Sequence, residues 1–180
     1  MTTNPPPSML ITPAHQQVID DTLPLVFARF HELAVALGFD APHAVTREHA
    51  LASPLAKELR ILARYAEGYD LGKGDILLNI DRIARMLFPQ PMSKKGFRFP
   101  TDFHATPLGE MVHTALVRHY PPEQRMGVGE VTKRLGVSRQ TVHGWAQDTT
   151  LTPIYEKGIL TFTRTQVEDV QHQRDAKSDR

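Results

Sequence analysis

The chain has 180 residues, 41% of them hydrophobic and 23% charged, proportions that suit one ordinary core or two small ones. With 21 lysines and arginines against 20 acidic residues the formal net charge is +1, so any surface built for a polyanion has to be local. The lack of cysteine excludes disulfides, thiolate metal sites and cysteine nucleophiles.

In chain order, MTTNPPPSML has neither a basic leader nor an apolar run of the secretory kind, and residues 1–11 read as a disordered or extended arm. The most apolar stretch, ELAVALGF, is far too short to span a membrane, which gives the expectation of a cytoplasmic protein. Thr12-Pro13, Ser53-Pro54 and Thr106-Pro107 each place a capping hydroxyl before a proline at the first helical position. The residues after these pairs match poorly, so we read shared capping chemistry rather than a repeat. Apolar spacing predicts a helix from about Pro24 to Leu37 that stacks Leu23, Phe27, Phe30, Ala34 and Leu37 on one side. A second starts at Pro54, uses Leu55, Leu59, Leu62 and Ala66, and stops near Gly68. A third runs from about Asp75 to Phe88 on Ile76, Ile80, Ile83 and Leu87. A fourth, from Pro107 to about Tyr120, carries Leu108, Met111, Val112 and Ala115 and ends at Pro121-Pro122, which we take as a domain boundary. Residues 12–120 are thus expected to form a helical domain.

The segment Lys94–Phe99, KKGFRF, lies in a stretch free of acidic residues and interleaves cations with aromatics. It suits a second nucleic-acid contact, but a connecting loop that tucks its phenylalanines into the core is the reading we prefer. His104, His113 and His119 invite a metal. On one helix, however, positions 113 and 119 point about 240° apart, and no HExxH motif occurs. The run from Gly68 to Gly74 lacks the Ser or Thr that follows lysine in a phosphate loop. No catalytic set, metal site or cofactor is expected.

From Val128 to Trp145 the apolar residues fall in two groups, Val131 and Leu135, then Val137, Val142 and Trp145, with Gly136 between them. A glycine there can take the positive φ that a sharp corner between two helices needs. Ser138 is placed to cap the second helix, whose inward side is Val142 and Trp145. Gln140, His143, Gly144 and Gln147 then lie outward, flanked by Arg139 and Thr141. Amides, an imidazole and a guanidinium without a carboxylate are the groups that pair with base edges and phosphates. Beyond the corner, Ile154-Tyr155 and Ile159–Phe162 predict a two-stranded hairpin around Glu156-Lys157-Gly158. Thr163 and Gln166 have the spacing of a capping box for a last helix through Val167 and Val170. From Arg174 the charged tail is expected to fray.

Glu130-Val131, the run from Leu135 to Val142, the aromatic Trp145, the hairpin from Leu151 to Phe162 and Arg164 together resemble the winged helix-turn-helix of the MerR and phage-excisionase superfamily. The resemblance covers residues 126–170, and Gly127 and Thr132 depart from its usual hydroxyl cap and small alanine. It implies a mainly α-helical protein whose residues 121–173 bind double-stranded DNA, the helix after Ser138 in the major groove and the hairpin on the adjacent backbone or minor groove. Gln140, His143, Gln147 and Arg139 are then the expected base contacts. Ser138, Thr141, Lys133, Arg134, Lys157 and Arg164 are the expected phosphate contacts. One such module binds weakly, so residues 12–120 are expected to supply a homodimer interface and the output to be transcriptional regulation at the nucleoid. The alternatives are an architectural, excisionase-like DNA-bending protein and a non-catalytic adaptor whose corner binds protein.

Overall fold

The computed structural model describes residues 11–38, 45–70, 73–88, 100–148 and 150–178. The expected N-terminal arm, apart from Ile11, and the KKGFRF segment lie outside them. The chain is mainly helical with one small antiparallel sheet, and it divides into two compact units, Met1–Phe97 and Arg98–Arg180. No helix among the described residues is long and apolar enough to cross a membrane.

The first unit is built from α1 (Pro13–Ala36), α2 (Arg47–Ala52), α3 (Pro54–Ala66) and α4 (Lys73–Leu87). Thr12 and Ser53 cap as their Pro-linked positions predict, accepting from the amides of His15 at 3.4 Å and Ala56 at 3.2 Å. α3 is the central element. It buries Leu55, Leu59 and Leu62 against Ile76, Ile80 and Ile83 of α4 and against Ile19 and Leu23 of α1. Two polar links reinforce these contacts. Glu67 at the end of α3 accepts from Thr12 Oγ1 at 2.7 Å and meets His15 Nδ1 at 2.6 Å, and Asn79 Nδ2 donates to Glu58 at 2.6 Å.

One expectation for this unit holds only in part. The helix expected from Pro24 is the second half of a single α1 that runs straight through that proline, and of the expected apolar side Leu23 is buried, Phe27 and Ala34 are half-buried, and Phe30 and Leu37 are exposed. Phe30 and Leu37 are both 63% exposed, and the buried side chains of α1, Ile19 and Leu23, lie in the first half of the helix. Periodicity correctly groups these residues on a face but carries no information about what covers it.

The second unit begins with a short 3-10 turn (Thr101–Ala105) and α5 (Pro107–His119), capped by Thr106 Oγ1 on the amide of Gly109 at 3.0 Å. Then come β1 (Arg125–Gly127), α6 (Val128–Leu135), α7 (Arg139–Gln147), β2 (Ile154–Glu156), β3 (Ile159–Thr163) and α8 (Arg164–Ser178). The expected boundary at Pro121-Pro122 therefore falls inside this unit, because α5 packs on β2 and shares a unit with the sheet and the later helices. The expected two-stranded hairpin is the larger part of a three-stranded sheet of order β1-β3-β2, with Met126 opposite Phe162 and Tyr155 opposite Leu160. α8 continues through Ser178, in place of the frayed tail expected from Arg174. That arginine is held, its guanidinium donating to the Leu135 carbonyl at 2.6 Å. The core is Met126, Val131, Leu135, Val142, Leu151, Phe162, Val167 and Val170, drawn from both helices of the corner, the sheet and α8.

Candidate nucleic-acid interface

The corner forms at Gly136, whose φ of +62° and ψ of +36° lie in the left-handed region that a side chain disfavours. Its conformation lets the Val137 amide bond back to the Thr132 carbonyl at 3.2 Å, closing α6 and redirecting the chain. Ser138 then opens α7. Its Oγ accepts from the Thr141 amide at 3.1 Å and lies 2.9 Å from the Thr141 hydroxyl. Both hydroxyls are thus engaged with each other, and a phosphate reaching this turn meets the open amides of the first helical residues rather than a free hydroxyl. At the start of α6 the Gly127 amide, which lacks a hydroxyl neighbour, donates to Glu130 Oε2 at 2.9 Å.

α7 is pinned by Val142, which is fully buried, and by Trp145, which packs half-buried against the same cluster. The outer face of Trp145 is covered by Arg174, whose guanidinium carbon sits 5.9 Å from the ring centroid. With these two residues inward, helical geometry turns Gln140, His143 and Gln147 outward, and all three are exposed. None of them, nor Arg139 beside them, makes a side-chain hydrogen bond or ion pair with another described residue. α7 itself contains no carboxylate.

The expected phosphate contacts divide. Lys133 on α6 and Lys157 at the hairpin tip, the latter with a φ of +49°, are exposed and carry no ion pair among the described residues. Arg134 is committed inside the unit, 3.1 Å from Glu168 Oε1 and donating to Gln171 at 3.1 Å, which ties α6 to α8. Arg164 is half-buried and its Nε donates to the Glu123 carbonyl at 2.6 Å, so it anchors the start of α8. Both arginines are structural groups before they are cations for an outside ligand.

Sequence reasoning missed two polar constellations that support this surface. Arg125, only 6% exposed, donates to Glu156 at 2.9 Å and so braces the outer strand of the hairpin from β1. His113 on α5 accepts the Tyr155 amide of β2 on Nδ1 at 3.3 Å. Its other nitrogen therefore carries the proton and donates to His104 Nδ1 at 2.7 Å. Burial, and after it the neighbouring His104, pushes the His113 pKa down to about 4, and burial lowers that of His104. The angular argument separating positions 113 and 119 stands apart from this pair, since residue 104 lies on a different element. Among the described residues no three metal-ligating side chains converge.

Compared with protein-family models, with curated proteins and with solved structures, the chain gives no match.

Proposed function

We propose that the protein binds double-stranded DNA with sequence preference and acts as a dimeric, non-catalytic transcriptional regulator in the cytoplasm. On this reading α6, α7, the β2–β3 hairpin and α8 act as a winged helix-turn-helix of the MerR and excisionase kind. α7 enters the major groove, where Gln140, His143, Gln147 and Arg139 meet base edges, while Lys133 and Lys157 meet phosphates on either side. The observation that carries the reading is the outward face of α7, exposed, without carboxylates, and unpaired within the described residues although Val142 and Trp145 hold the helix firmly. The direct experiment compares affinity for a duplex selected from a random pool with affinity for unrelated duplex at one salt concentration. Specific binding at least about 10³-fold tighter than non-specific supports a regulator.

A second reading is favoured by Ile159, 65% exposed next to the hairpin tip. An apolar side chain there, beside Lys157, is suited to wedge between base pairs and bend the duplex, as architectural proteins do. Equal affinity for all duplexes, with bending that disappears in Ile159→Ser, is the outcome that selects this reading.

A further inference from the structure

α7 carries a glycine that its own unit does not call for. Two other glycines of the unit have an internal reason: Gly136 takes the positive φ of the corner, and Gly109 leaves room for the Phe103 carbonyl. Gly144 has neither. Its φ lies outside the left-handed region, and a Cβ built on it meets no described atom within 4 Å. Gly129 is as open, but it belongs to the first turn of α6 and not to this face. Gly144 sits inside α7, its carbonyl accepting from the Asp148 amide at 2.9 Å. After proline, glycine is the residue that least favours a helix interior. Helical rise puts Gly144 about 6 Å along the axis from Gln140 and about 4.5 Å from Gln147, on the same outward side as both. The missing side chain therefore leaves a notch one methyl group wide, facing open space and set between two exposed amides.

We propose that this notch receives the C5-methyl group of a thymine, which makes Gly144 a specificity-determining position of α7. The inference rests on the DNA-binding reading and names what the same face selects. Its chemistry follows from the neighbouring side chains. A glutamine amide, one donor beside one acceptor, matches N6 and N7 of adenine in the major groove, whereas O6 and N7 of guanine are met best by arginine or lysine. Along its outward side α7 presents two glutamines and the imidazole of His143, and its one cation, Arg139, stands at the flank. Gln140 and Gln147 thus point to adenines, and every adenine brings a thymine as its partner. That thymine sets a methyl group in the same groove. A helix close enough for a bidentate amide contact meets the methyl with its own backbone, so a methyl-sized notch between the two amides fits it. An alanine Cβ would fill the notch and hold the helix off the bases.

The experiment uses the full chain and the duplex it selects from a random pool, with the thymines of that site replaced one at a time by deoxyuridine, which lacks only the methyl. For the wild type, one such replacement is expected to weaken binding by about 2- to 5-fold through the lost contact. Gly144→Ala is expected to bind the selected duplex at least about 10-fold more weakly. The same deoxyuridine is expected to return most of that affinity, because the methyl that the new Cβ would strike is gone. The thermal midpoint of Gly144→Ala is expected to rise by about 4–8 °C, so its loss of binding is not a loss of fold. Gly144→Leu, which also favours a helix, should bind more weakly still, with no single deoxyuridine restoring it. Equal affinity of wild type and Gly144→Ala, a loss that no deoxyuridine relieves, or a lowered midpoint overturns the proposal. Each of these leaves the regulator reading standing, since the wild type still selects its site. A wild-type chain that selects no duplex removes the regulator reading and this role with it.

Discussion

Single side chains decide whether α7 is a reading head or a strut. A glutamine that pairs with an adenine edge contributes about 1–3 kcal/mol of discrimination, so Gln140→Ala and Gln147→Ala are each expected to cost that much on a selected site. Their effect on random duplex should be close to nothing, and competition binding on the two duplexes separates the outcomes. The cations are expected to behave differently from one another. Lys157→Ala should weaken every duplex alike and reduce the slope of log affinity against log salt by about 1. Arg164→Met should instead leave that slope unchanged and lower fold stability by about 1 kcal/mol in urea unfolding, because it loses the bond to the Glu123 carbonyl. Sequence alone placed both in one phosphate-contacting set. Lys157 stays open because its position at a hairpin tip is a local property. The partner of Arg164 lies 41 residues away, and no local pattern announces such a bond.

Helices and strands in the second unit depend on two close fits. An added Cβ on Gly109 would come within 2.0 Å of the Phe103 carbonyl oxygen, a main-chain atom that cannot step aside. Gly109→Ala is therefore expected to destabilise the unit by about 1–3 kcal/mol or more, read as a lowered urea midpoint. The other fit is the imidazole of His113 between α5 and β2. The folded state holds this ring neutral, with a pKa of about 4 against an ordinary 6.5. Above pH 6.5 its contribution is complete. As the pH falls from 6.5 towards 4 the unfolded chain takes up the proton first, and stability drops by on the order of 3 kcal/mol before levelling off. His113→Gln is expected to remove most of that slope between about pH 7 and 4.5, and an unchanged slope would assign the acid sensitivity to other groups. The capped helices, the Gly136 corner and the hairpin strands were legible because each is written in a run of contiguous residues. β1 was not, since three residues carry no alternation and pair only through β3, nor was the meeting of His104 with His113 across two elements.

At the level of the whole molecule, the chain joins one unit whose leading helix ends in exposed apolar side chains to another that presents an exposed polar helix. On the proposed dimeric reading, two copies place two α7 helices on one duplex. The bound site should then contain two half-sites separated by about 10–10.5 base pairs or a multiple of that spacing. The most direct measurement is selection of bound duplexes from a random pool by the wild-type chain and by a Gln140→Ala, His143→Ala, Gln147→Ala variant that retains its fold. The account predicts enrichment of a two-part motif by the wild type and its loss in the variant. Enrichment of the same motif by both chains, or of none by either, would contradict it.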